Sequence, residues 1–380
     1  MKITNIKTFI YSTPYNRQEK WRFGIRKGTT SLLIKVETDE KIKTDENIYG
    51  LGETFCPIST MVIEKFIKED LVNILRGENP LDINTIRNKL FYELGLDWVS
   101  DFGGVILAAV ETALFDILGK KYNAPSYQFL GGKVKREVDF GEYIFSGSSD
   151  EMFDDLSILR ERGIDAFKIK LGINEDEEYK FLEKTKSKYL NQVKIAVDVN
   201  QGWSRTDAIK NISKLEKYSI LFIEQPLDKN DYEGSSWLRS RSNIPIALNE
   251  GIFSVQSMRK IIEKQAADYL VLDIISVGGV VSLMNIIKLA DIYNIELISH
   301  SGGELEIATM MMVNIISTSE KFRYKNDTYA YYINDPIDKK INNELKTGKV
   351  SVKEWIGNGI DIDPIKLNKK NRIYSAFERD

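Results

Sequence analysis

The chain has a single cysteine, Cys56, among 380 residues. That excludes an internal disulfide framework and fits a reducing compartment, which we expect to be the cytoplasm. Its only histidine is His300, so imidazole chemistry can enter at that one position. Neither sign of charge dominates. With 53 Lys and Arg against 56 Asp and Glu, the net charge of −3 gives no general attraction to nucleic acid or anionic membrane, and recognition must be local. There is no run of about eighteen apolar residues, and Met1-Lys2-Ile3-Thr4-Asn5 leads into no apolar signal core, so neither membrane insertion nor secretion is expected. What remains is a globular composition, 42% hydrophobic, long enough for one barrel and a smaller domain.

The texture of the chain changes once. Residues 2–11 and 31–38 alternate as strands, with Tyr49-Gly50-Leu51-Gly52-Glu53-Thr54 as a third. Between the first two, 14–27 carries Tyr15, Arg17, Trp21, Arg22 and Arg26 without periodicity and reads as a loop. From Ser59 to about Leu130 the apolar spacing is helical, closed by Gly131-Gly132. After Gly132, strand patterns at 138–145, 166–170, 194–199, 220–224, 245–249, 269–273 and 295–299 alternate with helix patterns. Such alternation predicts a parallel sheet with crossover helices, and seven or eight units predict closure into a barrel. The eighth strand, around Phe322-Arg323-Tyr324, is short and charged, and the tail from Asp335 has a different, turn-rich texture that should fold back on the first domain.

Three apolar runs end in a carboxylate at even spacing: Asp198, Glu224 and Glu250, with 224 − 198 = 26 and 250 − 224 = 26. Each acid alone reads as an ordinary loop residue. In register they would line the C-terminal rim of three neighbouring barrel strands, where hard oxygen ligands suit Mg²⁺ or Mn²⁺. Lys168 and Lys170 end an earlier strand on one face, pointing inward. Burial and a like charge should lower their pKa enough for one to act as a base. His300 ends the seventh strand and Asp273 the sixth, so the carboxylate can hold one ring nitrogen and leave the other to a substrate. Lysine on one side of a cation and histidine on the other describes proton abstraction beside a bound carboxylate.

The ordered set Lys168-x-Lys170, Asp198-x-Asn200, Glu224, Glu250, Asp273 and His300 resembles the enolase superfamily, mandelate racemase subgroup, along the whole chain. Gly50-Leu51-Gly52-Glu53, Glu224-Gln225-Pro226, Gly278-Gly279 and the late Gly357-Asn358-Gly359-Ile360-Asp361-Ile362-Asp363 segment belong to the same likeness. The resemblance implies an α/β fold with a modified (β/α)₇β barrel. Residues 1–132 would form an α+β capping domain, 133–330 the barrel, and 331–380 a tail that completes the cap. It further implies one Mg²⁺ per subunit on Asp198, Glu224 and Glu250. Lys170 would be the base for one face, His300 with Asp273 the base or acid for the other, Lys168 would stabilise charge and Asn200 would sit beside the metal. The subgroup's eighth-strand glutamate has no counterpart between Phe322 and Asp327, and Glu304, Glu306 and Glu320 are the alternatives.

The expected function is dehydration of an acid sugar to a 2-keto-3-deoxy acid, by α-proton abstraction and loss of the β-hydroxyl. Racemisation or epimerisation of a 2-hydroxy acid by the two flanking bases is the alternative, with cycloisomerisation third. A non-catalytic binding protein on this fold would have eroded the constellation, and every key position is filled. Tyr15, Arg17, Tyr143, Asn200 and Glu304 are the candidate substrate contacts, with Arg22 and Arg26 on the same capping segment. The expected partners are the acid-sugar substrate and further copies of the chain, with neither nucleic acid nor membrane.

Overall fold

The computed structural model describes residues 1–41, 46–55, 59–96, 100–364, 367 and 374; the expectation resting on Cys56 lies outside them. The chain opens with an antiparallel sheet of β1 (Ile3–Trp21), β2 (Gly24–Lys41) and β3 (Asn47–Phe55) in that order. The segment 14–27 is not a loop, as its lack of periodicity predicted. It forms the outer arms of the β1–β2 hairpin, interrupted by a register shift between Pro14 and Glu19. Tertiary pairing holds it extended: Tyr15 bridges Ile333, Asn16 N donates to Tyr332 O (2.9 Å) and Asn334 N to Pro14 O (3.2 Å). The helical region contains α1 (Thr60–Phe66), which runs through a π-helical turn into α2 (Val72–Leu75), then α3 (Ile83–Asn88) and α4 (Ser100–Tyr122). α4 lies between the sheet and the barrel, which explains why it is apolar on nearly every side. A Cβ on Gly50 or Gly52 would overlap the carbonyls of Ala113 and Ala109, so the Gly-x-Gly of β3 lets strand and helix backbones touch.

After β4 (Glu137–Asp139), strands and helices alternate: β5 (Glu142–Ile144), α5 (Ser149–Glu161), β6 (Ala166–Lys170), α6 (Glu175–Tyr189), β7 (Lys194–Asp198), α7 (Arg205–Leu215), β8 (Ile220–Glu224), α8 (Tyr232–Arg239), β9 (Ile246–Leu248), α9 (Val255–Lys264), β10 (Tyr269–Leu272), α10 (Val280–Ile292), β11 (Glu296–Ser299) and α11 (Glu306–Ile316). Strands β5 to β11 form one parallel sheet in chain order. The predicted strand 138–145 is split at Gly141, where a Cβ would press on the Ala166 carbonyl at 2.7 Å. The ring is completed by residues 321–327, which are bridged and not a regular strand. Leu297 N donates to Lys321 O (3.1 Å) and Asp327 N to Ser299 O (2.9 Å) on one side, and Gly141 N donates to Asn326 O (2.7 Å) on the other. The fold is therefore a capped, TIM-barrel-like α/β architecture. The tail adds α12 (Lys339–Leu345) and β12 (Lys349–Ser351), which pairs with β4. It then runs along the cap, where Asn358 N donates to Asp116 Oδ1 (3.0 Å) and Ser126 N to Gly357 O (2.8 Å). Among the described residues no helix is long and apolar enough to cross a membrane.

Candidate active site

Register places the acids and lysines at one rim. Lys170 pairs with Asp198 across β6 and β7, and Asp198 with Glu224 across β7 and β8. Lys168 and Lys170 sit two residues apart on one strand, so both ammonium groups point into the barrel. Lys170 Nζ lies 2.6 Å from Asp198 Oδ2, and Lys168 Nζ lies 2.5 Å from both Glu224 Oε2 and Asp327 Oδ2. The ring of Tyr143 lies beneath both, 5.5 Å from Lys168 Nζ and 5.3 Å from Lys170 Nζ. The lysines are not depressed as expected. Burial alone would lower them, but Asp327, Glu224 and Asp198 hold Lys168 above its ordinary value, and Asp198, Glu19 and Glu224 do the same for Lys170. The same contacts act on the acids in reverse. Burial would raise Asp198, yet Lys170 and Lys168 keep it below the usual carboxylate range. Burial, helped by Asp198 and Asp327, pushes Glu224 up to about 7 despite Lys168. Glu250 is likewise raised by burial and by Asp198.

Two of these acids keep a carboxylate oxygen open. Among the described residues no three His, Cys, Asp or Glu side chains converge closely enough to hold a metal ion as they stand. The ammonium groups and the Asn200 amide fill the intervening space, with Asn200 Nδ2 donating to Asp198 Oδ2 and Glu250 Oε1, both at 3.1 Å. Yet Glu224 Oε1 and Glu250 Oε2 are buried without any hydrogen-bond partner, which is costly unless a positive group meets them. The rim loops are held in unusual backbone conformations, with φ of +45° at Asn200 and +38° at Gln225. Gln225 Oε1 accepts from Asn249 N and Gly251 N, each at 3.1 Å, and so fixes the turn that carries Glu250.

Across the mouth, His300 Nδ1 lies 2.9 Å from Asp273 Oδ2. Asp273 is itself fixed by Ile275 N and Ser276 N, both donating to Oδ1 at 2.7 Å. Burial would lower the imidazole, but the Asp273 bond outweighs it and holds His300 above its ordinary value, while Asp273 is held below its own. This arrangement leaves Nε2 as the atom able to exchange a proton with a ligand.

The eighth segment supplies a carboxylate after all. Asp327 binds Lys168 and accepts from the Tyr143 hydroxyl at 3.2 Å. Its spacing was a readable signal, since 300 − 273 = 27 and 327 − 300 = 27. Of the three alternatives, Glu306 is taken up by the tail, accepting from Ile337 N (2.9 Å) and Asn342 Nδ2 (3.1 Å). Glu320 is exposed, beside the segment that precedes the eighth strand position. Glu304 is buried near the dyad, accepts from Gly302 N at 2.8 Å, and is pushed to about 7 by burial and by Asp273.

The capping residues divide. Arg17 is neutralised inside the protein, 2.6 Å from Asp155 Oδ2, and also binds the Phe145 carbonyl. Arg26 is buried against Glu19 and donates to Gly302 O (2.6 Å) and Tyr329 Oη (2.8 Å). Both arginines therefore tie the hairpin to the barrel. Tyr15 stacks on Tyr329 with its hydroxyl against the Gly303 turn, where no Cβ would fit. Arg22 remains exposed and reaches over Gly202, next to the Asn200 turn. Glu19 and Tyr329, which sequence reading passed over, contribute a buried acid and hydroxyl to this roof, with Tyr329 Oη donating to Glu19 Oε1 at 2.7 Å.

Residues 151–366 match the family described as enolase C-terminal domain-like, and residues 23–131 match the mandelate racemase / muconate lactonizing enzyme N-terminal domain. The N-succinyl-L-Arg/Lys racemase of Bacillus cereus is 27% identical, covering 100% of this chain and 96% of its own. A D-galactonate dehydratase family member of Enterococcus gallinarum is 26% identical over 88% of each chain. The crystal structure of the B. cereus racemase superposes with a TM-score of 0.84 over 96% of each chain at 25% identity. A dipeptide epimerase of Enterococcus faecalis, solved with Mg and the dipeptide L-Leu-L-Tyr, shares the fold with a TM-score of 0.82 at 21% identity, covering 94% of this chain and 99% of its own.

Proposed function

Because the chain belongs to the mandelate racemase / muconate lactonizing enzyme family of the enolase superfamily, we propose that it is a two-base racemase or epimerase acting beside a carboxylate. The observation that carries this reading is the pair of buried base–acid couples on opposite sides of one mouth, Lys170–Asp198 and His300–Asp273. Asp198, Glu224 and Glu250 would hold Mg²⁺, which would supply Lewis-acid polarisation of the substrate carboxylate and share the acids' negative charge with the lysines, so that burial weighs more on the lysines' proton affinity. One base then takes the α-proton. The C–H electron pair moves onto the carboxylate as an enediolate, and the conjugate acid opposite returns a proton to the other face. Lys168, between Glu224 and Asp327, lies where it can balance the negative charge that develops.

The N-succinyl-Arg/Lys racemase likeness supports an N-acylated amino acid as the first substrate class to test, and the epimerase neighbour adds dipeptides. A second reading, dehydration of an acid sugar, draws on the D-galactonate dehydratase family relative and on the raised pKa of His300, which keeps an acid available for a departing hydroxyl. The deciding experiment incubates the protein with Mg²⁺ in D₂O and panels of N-succinyl amino acids, dipeptides and aldonic acids. α-Deuteration with inversion supports the racemase. Keto-acid formation supports the dehydratase, and no exchange with any panel removes both.

A further inference from the structure

We propose that Glu53 and Glu111, two buried glutamates of the capping region, are positioning residues for the His300–Asp273 pair. Four barrel helices carry their own side-chain caps, Ser148 for α5, Ser204 for α7, Asp231 for α8 and Ser254 for α9, and α6, without a cap at Asn174, has its entry closed by its own Glu178, which accepts from Gly172 N, Ile173 N and Asn174 N. The two helices that follow the dyad strands do not. α10 starts from Gly279 and α11 from Leu305, neither with a side-chain cap of its own. An N-terminal turn buried with open N–H groups is unfavourable, and here the missing acceptors come from across the domain boundary. Glu53 on β3 accepts from Leu305 N (2.6 Å), Ala308 N (3.0 Å) and Ser31 Oγ (2.7 Å). Glu111 on α4 accepts from Val281 N (2.8 Å) and is paired with Arg87, which also donates to Gly278 O (3.0 Å) and Ser282 Oγ (2.6 Å).

Each anchor fixes the loop that bears one member of the pair. Asp273 is followed by the turn to Gly278-Gly279, which lies so close to α4 that a Cβ on Gly279 would overlap the Glu111 carboxylate. His300 is followed by Ser301–Glu304, which ends at the Leu305 amide held by Glu53. The 2.9 Å contact between ring and carboxylate thus joins two loops, each pinned to the cap by one glutamate. A loosened anchor lets the two loops drift independently, and misplacement of a base by about 1 Å costs on the order of a hundredfold in rate.

The inference rests on the two-base reading for its kinetic test, and the sole histidine allows a test that does not. In the full-length protein, the imidazole NMR signal titrates His300 alone, inside a ring of charged neighbours formed by Asp273, Glu224, Lys168 and Glu304. Glu53→Gln, Glu111→Gln and the milder Ser31→Ala should each move that titration toward the ordinary histidine value, in the direction of an Asp273→Asn reference. In D₂O exchange they should slow, by about 10- to 100-fold, deuteration of the substrate face served by His300, while the Lys170 face stays within about twofold. Unchanged titration in all three variants, with Asp273→Asn shifting as a control, overturns the inference. So does equal slowing of both faces, which marks a merely structural role. Absence of exchange in the wild type defeats the two-base reading instead, and the titration still decides the anchor.

Discussion

Lys170 and His300 each pair with a carboxylate from the following or preceding strand, at 2.6 Å and 2.9 Å, but they are held in place by different means. Lys170 lies within β6, in register with Asp198 on β7 and, through it, Glu224 on β8. Backbone ladders fix all three. His300 lies just past the end of β11, and Asp273 just past β10, where loops anchored by the cap decide the geometry. One side of the site is therefore set by strand register and the other by how two domains dock. Damage to the ladder should be local and severe, whereas damage to the cap should reach the histidine side first.

The largest effect expected is loss of the acid cluster. Chelation of divalent metal should abolish α-hydrogen exchange and Mg²⁺ should restore it, while Glu224→Gln should remain inactive at any practical Mg²⁺ concentration; full turnover in metal-free buffer would contradict the site. Next come the bases. Lys170→Ala and His300→Asn should each lose about 10²- to 10⁴-fold on one face and spare exchange on the other, read by deuteration of separated stereoisomers. Identical losses on both faces would break the comparison.

Asp273→Asn is the third test. Burial alone would lower His300, and the Asp273 bond reverses this, so the folded imidazole titrates above its unfolded value. The stabilisation from that bond is present below the unfolded histidine value and is lost as pH rises through the folded one. Asp273 runs the other way: its folded value is depressed, so its share is present above its unfolded value and lost as pH falls through the folded one. In the variant the imidazole should titrate lower. The acidic limb of His300-dependent exchange, where the imidazole must lose its proton to act as the base, should move down with it, and a pH profile that stays in place would argue against the pair.

The smallest expected effect contrasts two glycines. Gly172, after β6, has φ +94° and open space within 4 Å of the point where a methyl group would sit, so Gly172→Ala should cost only backbone strain, about 1 kcal/mol. Gly279 has φ +96° and would also drive its Cβ into Glu111, so Gly279→Ala should cost more, up to about 3 kcal/mol, with a correspondingly lower thermal midpoint. Equal costs would mean that the docking face yields easily.

The barrel was legible because short buried strands leave apolar runs at a regular interval, and a carboxylate or lysine at the end of such a run stands out. That is why the strands from β6 to β11 fall within a residue or two of their expected bounds, and why the even spacing of Asp198, Glu224 and Glu250 stands out. The hairpin arms were not legible. Their extended shape comes from pairing with each other across the hairpin and, at Pro14–Asn16, with residues 332–334 more than 300 positions away, and no local periodicity encodes it. Asp327 was missed for a related reason: its segment is bridged on both sides without being a regular strand, so no apolar alternation marks it.

By itself the sequence determined the α/β order, the even placement of acids and the presence of one imidazole, because strand period and residue chemistry are local properties. Only the tertiary structure decided which charges are spent internally. Arg17 and Arg26, free on paper, are neutralised by Asp155 and Glu19, and the lysines are raised by acids that the fold brings within hydrogen-bonding distance. Electrostatic energies fall steeply with separation and rise with burial, so the character of a charged side chain is a property of its neighbours in space.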